Sequence, residues 1–119
     1  MKISCFEDII AWQKGQDLAV NIYAAFKETT EYDFKRQIFR AAVSVSNNIA
    51  EGYERGSNAD FRRFLYISMA SNSEVKSMLY LAKRLSFVSE TEFQTLYNQT
   101  NEISKLIKGF IKSIPEKNN

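Results

Sequence analysis

The sequence has 119 residues, of which 45% are apolar and 25% charged, and its formal net charge is +2. This is typical of one globular domain that buries a core without metals or disulfides, so we predict a single domain over residues 1–119. No apolar run approaches the roughly 18 residues of a membrane span, the N-terminus lacks the features of a signal peptide, and Cys5 is the only cysteine, so we expect a cytoplasmic protein without a disulfide.

Hydrophobic periodicity and capping residues predict four helices, over about residues 5–28, 34–55, 58–86 and 90–113. Ser4 and Glu7 have the spacing of a capping box, which predicts the start of the first helix. We expect one apolar face on this helix, made of Phe6, Ile9, Ile10, Gln13, Val20, Tyr23 and Phe26.

The second helix is expected to be the central one. Asp33 is its candidate N-cap, and Gly56 suits a left-handed C-terminal cap. Its small and apolar residues cover about half of the circumference, which predicts packing against other helices on more than one side. This face holds Ile38, Ala41, Ala42, Val45, Ser46, Ile49, Gly52 and Tyr53.

The third and fourth helices have clearer starts. Ser57 has the spacing of an N-cap, and Ser89 with Glu92 forms another capping box. Asn72 interrupts the apolar stripe of the third helix, so it needs a partner if buried and is a candidate for fixing helix register. No segment has the pattern of a strand, so we predict an all-α fold, an antiparallel up-down-up-down four-helix bundle.

The stretch Arg40-Ala-Ala-Val-Ser-Val45, followed by Asn48-Ile-Ala-Glu-Gly52, resembles the signature of a bacterial four-helix-bundle family, the 23S rRNA intervening-sequence proteins. That family usually has proline where this chain has Ser46, alanine at Asn47 and glycine at Ala70. Further resemblance is carried by Phe6-Glu-Asp-Ile, Trp12-Gln-Lys14, Phe61-x-x-Phe64-Leu65, Ser71-x-x-Glu74-Val75 and Leu81-Ala-Lys83.

This resemblance implies a small cytosolic bundle with no established catalytic activity. Some members are encoded inside insertions within ribosomal RNA genes. The family is similar to the accessory protein of diversity-generating retroelements, a pentameric bundle that binds nucleic acid and a reverse transcriptase. The resemblance therefore implies a homo-oligomer, with a pentamer as the suggested number.

Catalysis has little support in the sequence. There is no histidine, which removes the usual general base and the commonest metal ligand, so we expect no enzyme, no metal and no cofactor. Cys5 lies at a predicted helix start, where the pKa of a thiol can fall, but it lacks a catalytic partner set. Glu51 and Glu54 are spaced for acid–base work, although ion pairing with arginine is the favoured reading. Ser71 and Glu74 are expected to make hydrogen bonds between helices.

Positive charge is concentrated in the middle of the chain. Residues 34–84 hold nine Lys and Arg against four acids, and all six arginines. Tyr53 and Tyr66 are candidates for stacking nucleic-acid bases. The alternative is a solvated face with surface ion pairs. The candidate nucleic-acid-binding residues are Arg36, Arg40, Arg55, Arg62 and Arg63.

These arginines form two groups that an up-down bundle would hold roughly 30 Å apart, because a helix rises about 1.5 Å per residue. A symmetric oligomer would repeat each group and strengthen its field. Trp12, Tyr66, Met69 and Tyr80 lie off the core stripes, so we expect them to be buried between subunits. The leading hypothesis is an oligomer that binds RNA, DNA or a ribonucleoprotein. The alternative is a protein–protein scaffold that ignores nucleic acid.

Overall fold

The structure is a computed structural model that describes residues 2–116. Met1 and residues 117–119 of the predicted domain lie outside this range. A 3-10 helix, Phe6–Asp8, precedes four α-helices, and the described residues contain no strand. Short connections make successive helices antiparallel, and each helix packs against two others, α1 on α2, α2 on α3, α3 on α4 and α4 on α1. The predicted all-α bundle is confirmed, with α1 at Ile10–Phe26, α2 at Tyr32–Glu54, α3 at Asn58–Arg84 and α4 at Glu90–Ser113.

The first helix begins later than predicted. The backbone N–H of Ser4 donates to Oδ2 of Asp8 at 2.9 Å, and this carboxylate, not that of Glu7, closes the N-terminal turn. The turn continues as the 3-10 helix, and the backbone of Ile9 is then extended, so α1 starts at Ile10. The predicted capping box is therefore wrong, because the neighbouring carboxylate takes the donor.

The buried face of α1 agrees with the predicted face at Phe26, and Ile9 just before the helix is also buried, but the other positions differ. It is made of Ala11, Gly15, Leu18, Ile22 and Phe26, of which the last three repeat every four residues. The outward positions include Val20 and Tyr23, whose exposed fractions are 65% and 54%. The strict four-residue spacing of the larger aliphatic residues sets the orientation of this helix.

The wide face of α2 packs as predicted, against α1 on one side and α3 on the other. At Gly15 a Cβ would lie 3.2 Å from Cβ of Ser46, so α1 approaches α2 closely there. At Gly52 a Cβ would lie 2.5 Å from Cβ of Phe64, so α3 approaches even more closely. Small residues on α2 therefore bring both neighbouring backbones near. Its buried residues are Ile38, Ala41, Ala42, Val45, Ser46, Ile49 and Gly52.

Most of the predicted helix ends are found. Gly56 has a φ of 88°, in the left-handed region that favours glycine. The Oγ of Ser57 accepts the N–H of Asp60 at 3.1 Å, and Ser89 with Glu92 forms the reciprocal capping box. Asp33 is not the N-cap of α2, because that helix begins one residue before it, at Tyr32. None of the described helices combines the length and apolarity needed to cross a membrane.

Candidate nucleic-acid interface

Arg55 and Arg63 meet at the ring of Phe64, at the junction of α2 and α3. Their Cζ atoms lie 4.8 Å and 4.6 Å from the ring centroid, within the range of a cation–π interaction. Nη2 of Arg55 is 2.9 Å from Oε2 of Glu51, and Nη2 of Arg63 is 3.5 Å from Oδ1 of Asp60. The expected ion pair of Glu51 with an arginine is thus present, and both guanidinium groups are oriented by an aromatic face and a carboxylate.

Arg62 has a different environment at the same end of the bundle. Its Nη1 donates to the carbonyl of Pro115 at 2.7 Å, and its Nη2 lies 3.4 Å from the carbonyl of Glu116. The side chain therefore ties the first turn of α3 to the segment that follows α4. Two of its nitrogens are committed to the fold, so fewer donors face solvent here than at Arg55 or Arg63.

Arg36 and Arg40 lie one turn apart near the start of α2. Nη2 of Arg36 is 2.6 Å from Oδ1 of Asp33, and both side chains are largely exposed, so the energetic value of this pair is small. Arg40 is exposed, and within residues 2–116 no hydrogen bond or ion pair of its side chain is found. Its guanidinium is the most available of the five candidates.

The two arginine groups remain separate within one chain. Arg36 lies near the start of α2 and Arg55 directly follows its last residue, nineteen positions later, which corresponds to roughly 28 Å at about 1.5 Å per residue. The candidates therefore form two separate patches, at opposite ends of α2.

The two tyrosines proposed to stack bases have different surroundings. The ring of Tyr53 packs edge-on against Phe61 at 5.8 Å, and its hydroxyl donates to the carbonyl of Ile3 at 3.5 Å. Tyr66 is 55% exposed. Of these two tyrosines, Tyr66 has the ring that is more accessible for stacking.

A cavity between α1 and α2, here named the aromatic hollow, was not predicted from the sequence. It encloses about 220 Å³ and is lined by Ile22, Tyr23, Phe26, Tyr32, Lys35, Arg36 and Phe39. Two signals point to it. The spacing of Leu18, Ile22 and Phe26 turns Tyr23 outward, and Tyr32 and Phe39 are seven residues apart, so they share a face of α2.

A polar network joins α2 to α3 near their centres. The hydroxyls of Ser44 and Ser71 are 2.9 Å apart, which confirms the hydrogen bond between helices expected at Ser71. Nδ2 of Asn48 donates to both the carbonyl and the hydroxyl of Ser44, at 2.9 and 2.8 Å. The hydrogen bond expected at Glu74 is not found among the described residues, and its side chain faces a small hollow together with Arg40, with which it forms no ion pair.

Asn72 is buried, with an exposed fraction of 2%. Its Nδ2 donates to the backbone carbonyl of Thr100 at 2.8 Å, so the partner expected for a buried asparagine is found on α4. Its Oδ1 has no hydrogen-bond partner among the described residues. The amide nitrogen of Asn72 is therefore hydrogen-bonded, and the amide oxygen is not.

Cys5 does not have the environment of a reactive thiol. Desolvation, a hydrogen bond with Glu7 and the negative charge of Asp8 raise the pKa of the Cys5 thiol. The fall in pKa that a helix start can cause is not found here, because α1 begins only at Ile10 and the carboxylates of Glu7 and Asp8 act on the thiol. Residues 2–116 also contain no group of three His, Cys, Asp or Glu placed to hold a metal ion.

The apolar residues expected off the core are only partly exposed. Trp12 is half-buried and packs edge-on against Phe6 at 5.2 Å, and Met69 is also half-buried. Tyr80 is 47% exposed but lies against Phe93 and Tyr97, at centroid distances of 5.4 and 5.6 Å. Other large apolar side chains on α1, α2 and α3 are also exposed, among them Val20, Tyr23, Tyr32, Phe39, Ile67 and Leu81.

Comparison with known proteins agrees with the fold. No curated protein matches the chain. A solved structure from Bacteroides thetaiotaomicron, of a protein with unknown function from the S23 ribosomal protein family, is 27% identical. The match covers 87% of this chain and 96% of that one, with a TM-score of 0.81. The model of the family described as 23S rRNA-intervening sequence protein matches residues 7–109. The chain therefore belongs to the family of 23S rRNA-intervening sequence proteins.

Proposed function

We propose that the protein is a non-enzymatic, cytoplasmic homo-oligomer that binds nucleic acid through phosphate contacts of its arginines. The observation that carries this proposal is the exposed pair Arg36 and Arg40, one turn apart on α2, with Arg40 free of ion pairs among the described residues. Arg55 and Arg63 add a second patch at the other end of α2. The family description names 23S rRNA, so RNA is the first polyanion to test.

Binding of this kind is mostly indifferent to sequence, because phosphate contacts position a protein without reading bases. A single chain with a net charge of +2 has a weak field. A ring of identical subunits repeats each patch around its axis, which raises the local positive charge and the number of phosphates neutralised. Oligomerisation and nucleic-acid binding are thus linked parts of one proposal.

The test is fluorescence anisotropy with labelled structured RNA and duplex DNA over a series of salt concentrations. The double variant Arg36→Gln/Arg40→Gln is expected to weaken binding and to lower the slope of log K against log salt by about one per lost phosphate contact. Lys105→Gln/Lys108→Gln, at two exposed positions on α4, is the control for loss of two positive charges. Absence of salt-dependent binding by the wild type near about 100 mM salt would overturn the proposal.

The oligomer is tested by light scattering. The chain has a mass of 13.8 kDa, and a pentamer would scatter as a particle of five times that mass. If the protein is a monomer at micromolar concentration, the arginine patches are not repeated by symmetry, and this part of the proposal fails.

The second candidate function is a protein–protein scaffold. It is favoured by the exposed apolar side chains on α1 and α2, since Val20 and Tyr23 are each more than half exposed. Capture from a nuclease-treated lysate separates the two candidates. A scaffold keeps its partner after nuclease treatment, whereas a partner bridged by RNA is lost.

A further inference from the structure

The aromatic hollow has the features of a stacking site. Tyr32, Tyr23 and Phe39 surround it with exposed fractions of 61%, 54% and 36%. Tyr23 and Phe39 meet edge to face, with centroids 5.7 Å apart and planes at 60°, so they hold each other in place. Its volume of about 220 Å³ is below the roughly 300–1,000 Å³ of pockets for drug-sized ligands, which suits one planar ring system.

The charge around the hollow is positive. Among the described residues that line it, the charged ones are Lys35 and Arg36, and Arg36 is ion-paired with Asp33 just outside the hollow. The ε-amino group of Lys35 donates to the carbonyl of Lys27 at 3.0 Å, which holds this charge at the rim. Arg36 also lines a neighbouring polar hollow with Asp33, Gln37 and Arg40. The aromatic hollow and this polar hollow, in which two arginines outnumber one aspartate, thus share Arg36.

We infer that the aromatic hollow receives one unpaired nucleobase of a single-stranded RNA, with the adjoining phosphates held by Lys35, Arg36 and Arg40. This inference rests on the proposed function and names single-stranded RNA as the class of ligand bound at this end of α2. An aromatic surface next to a cationic groove is the combination that binds single strands, because every base has a face that can stack. A partner helix without acidic residues would use the apolar walls but would leave Arg36 and Arg40 in the neighbouring polar hollow without a role.

The same geometry discriminates against a duplex. Bases in a double helix are already stacked and expose only their edges in the grooves, so a duplex can contact Arg36 and Arg40 through its phosphates but cannot place a base face in the aromatic hollow. The site is therefore expected to prefer unpaired RNA over a duplex of equal length.

The test compares three labelled strands by fluorescence anisotropy: a single-stranded oligouridylate, its abasic counterpart and an RNA duplex of equal length. Wild-type protein is expected to bind the oligouridylate about five- to hundredfold more tightly than the abasic strand, the range contributed by one stacked base. Tyr23→Ala/Tyr32→Ala is expected to abolish that difference and to leave duplex binding unchanged. Ile10→Ala, at an exposed apolar position at the opposite end of α1 from Tyr23, is the control and should change none of the three affinities.

The outcomes separate this inference from the proposed function. Equal affinity of the wild type for the oligouridylate and the abasic strand would overturn the inference without recourse to any variant, so it stays testable even if the double variant unfolds. Salt-dependent binding that Arg36→Gln/Arg40→Gln weakens would then leave the proposed function standing. Failure of the wild type to bind any of the three strands would overturn both. An acidic amphipathic peptide that binds in place of RNA would identify the hollow as a protein-docking site and would also contradict the inference.

Discussion

Nδ2 of Asn72 on α3 donates to the backbone carbonyl of Thr100 on α4 at 2.8 Å, while Oδ1 of the same buried amide has no partner among the described residues. An unpaired buried acceptor carries a desolvation cost of about 1–3 kcal/mol, comparable to the net contribution of the hydrogen bond that the amide makes. We interpret Asn72 as a residue that fixes the register of α3 on α4 and adds little to stability.

We therefore expect Asn72→Leu, whose side chain has the same number and branching of heavy atoms, to change the free energy of unfolding by less than about 1.5 kcal/mol. Asn72→Asp should destabilise the fold by more than about 3 kcal/mol at neutral pH, because it buries an unpaired charge. Urea denaturation measures both. A large loss on Asn72→Leu would show that Oδ1 is hydrogen-bonded in solution, for example by a buried water.

Two helical glycines provide a matched pair. A Cβ at Gly52 would lie 2.5 Å from Cβ of Phe64, so Gly52→Ala must push α3 away from α2, at a cost of about 1–3 kcal/mol. A Cβ at Gly109 would meet nothing within 4 Å, so Gly109→Ala should stabilise α4 by about 0.5–1 kcal/mol. Thermal unfolding of the two variants should give shifts of opposite sign. Two shifts of the same sign would contradict the close approach at Gly52.

The N-terminal turn should be sensitive to acid. The hydrogen bond from the Ser4 N–H holds the pKa of Asp8 below its ordinary value of 3.8. The ionised Asp8 carboxylate therefore stabilises the fold fully above pH 3.8, and this stabilisation is lost as the pH falls through the lower pKa of the folded state. Asp8→Asn should lower the melting temperature at pH 7, and the difference from wild type should shrink as the pH falls below 3.8.

The control for this prediction is Asp17→Asn, at an exposed position of α1. It should produce a smaller change in melting temperature at pH 7. An NMR titration of the Asp8 carboxyl gives the pKa directly. A value at or above the ordinary one would show that the hydrogen bond to Ser4 is absent in solution.

The packing of α2 could be read from the sequence because its small residues recur at helical spacing. Ala41, Val45 and Gly52 form a face that has to be buried, and the structure buries it. The start of α1 could not be read, because Glu7 and Asp8 are adjacent carboxylates and only the tertiary arrangement decides which one accepts the Ser4 N–H. The spacing from Ser4 allows either carboxylate to accept this N–H.

The site was less predictable than the fold. The sequence identifies the arginines but not their partners, since the pairing of Arg62 with the carbonyl of Pro115 joins residues 53 positions apart. The aromatic hollow was missed because Tyr23 was assigned to the core face of α1. Which residues reach the surface depends on how each helix is rotated about its axis. If the buried face is assigned wrongly, an aromatic residue predicted in the core lies on the surface instead.

Arg62 offers the last prediction, because its role in the fold competes with its proposed role at phosphates. Arg62→Gln removes the donors to the carbonyls of Pro115 and Glu116, so it should destabilise the protein by about 0.5–1.5 kcal/mol. Hydrogen exchange should accelerate in the last turn of α4, near Ser113, which this side chain helps to anchor. Arg40→Gln removes an arginine without such contacts and should leave both stability and exchange unchanged. The salt dependence of RNA binding should respond in the opposite order, with a larger loss of slope for Arg40→Gln than for Arg62→Gln. An equal loss of slope in the two variants would mean that Arg62 leaves the C-terminal carbonyls to bind phosphate.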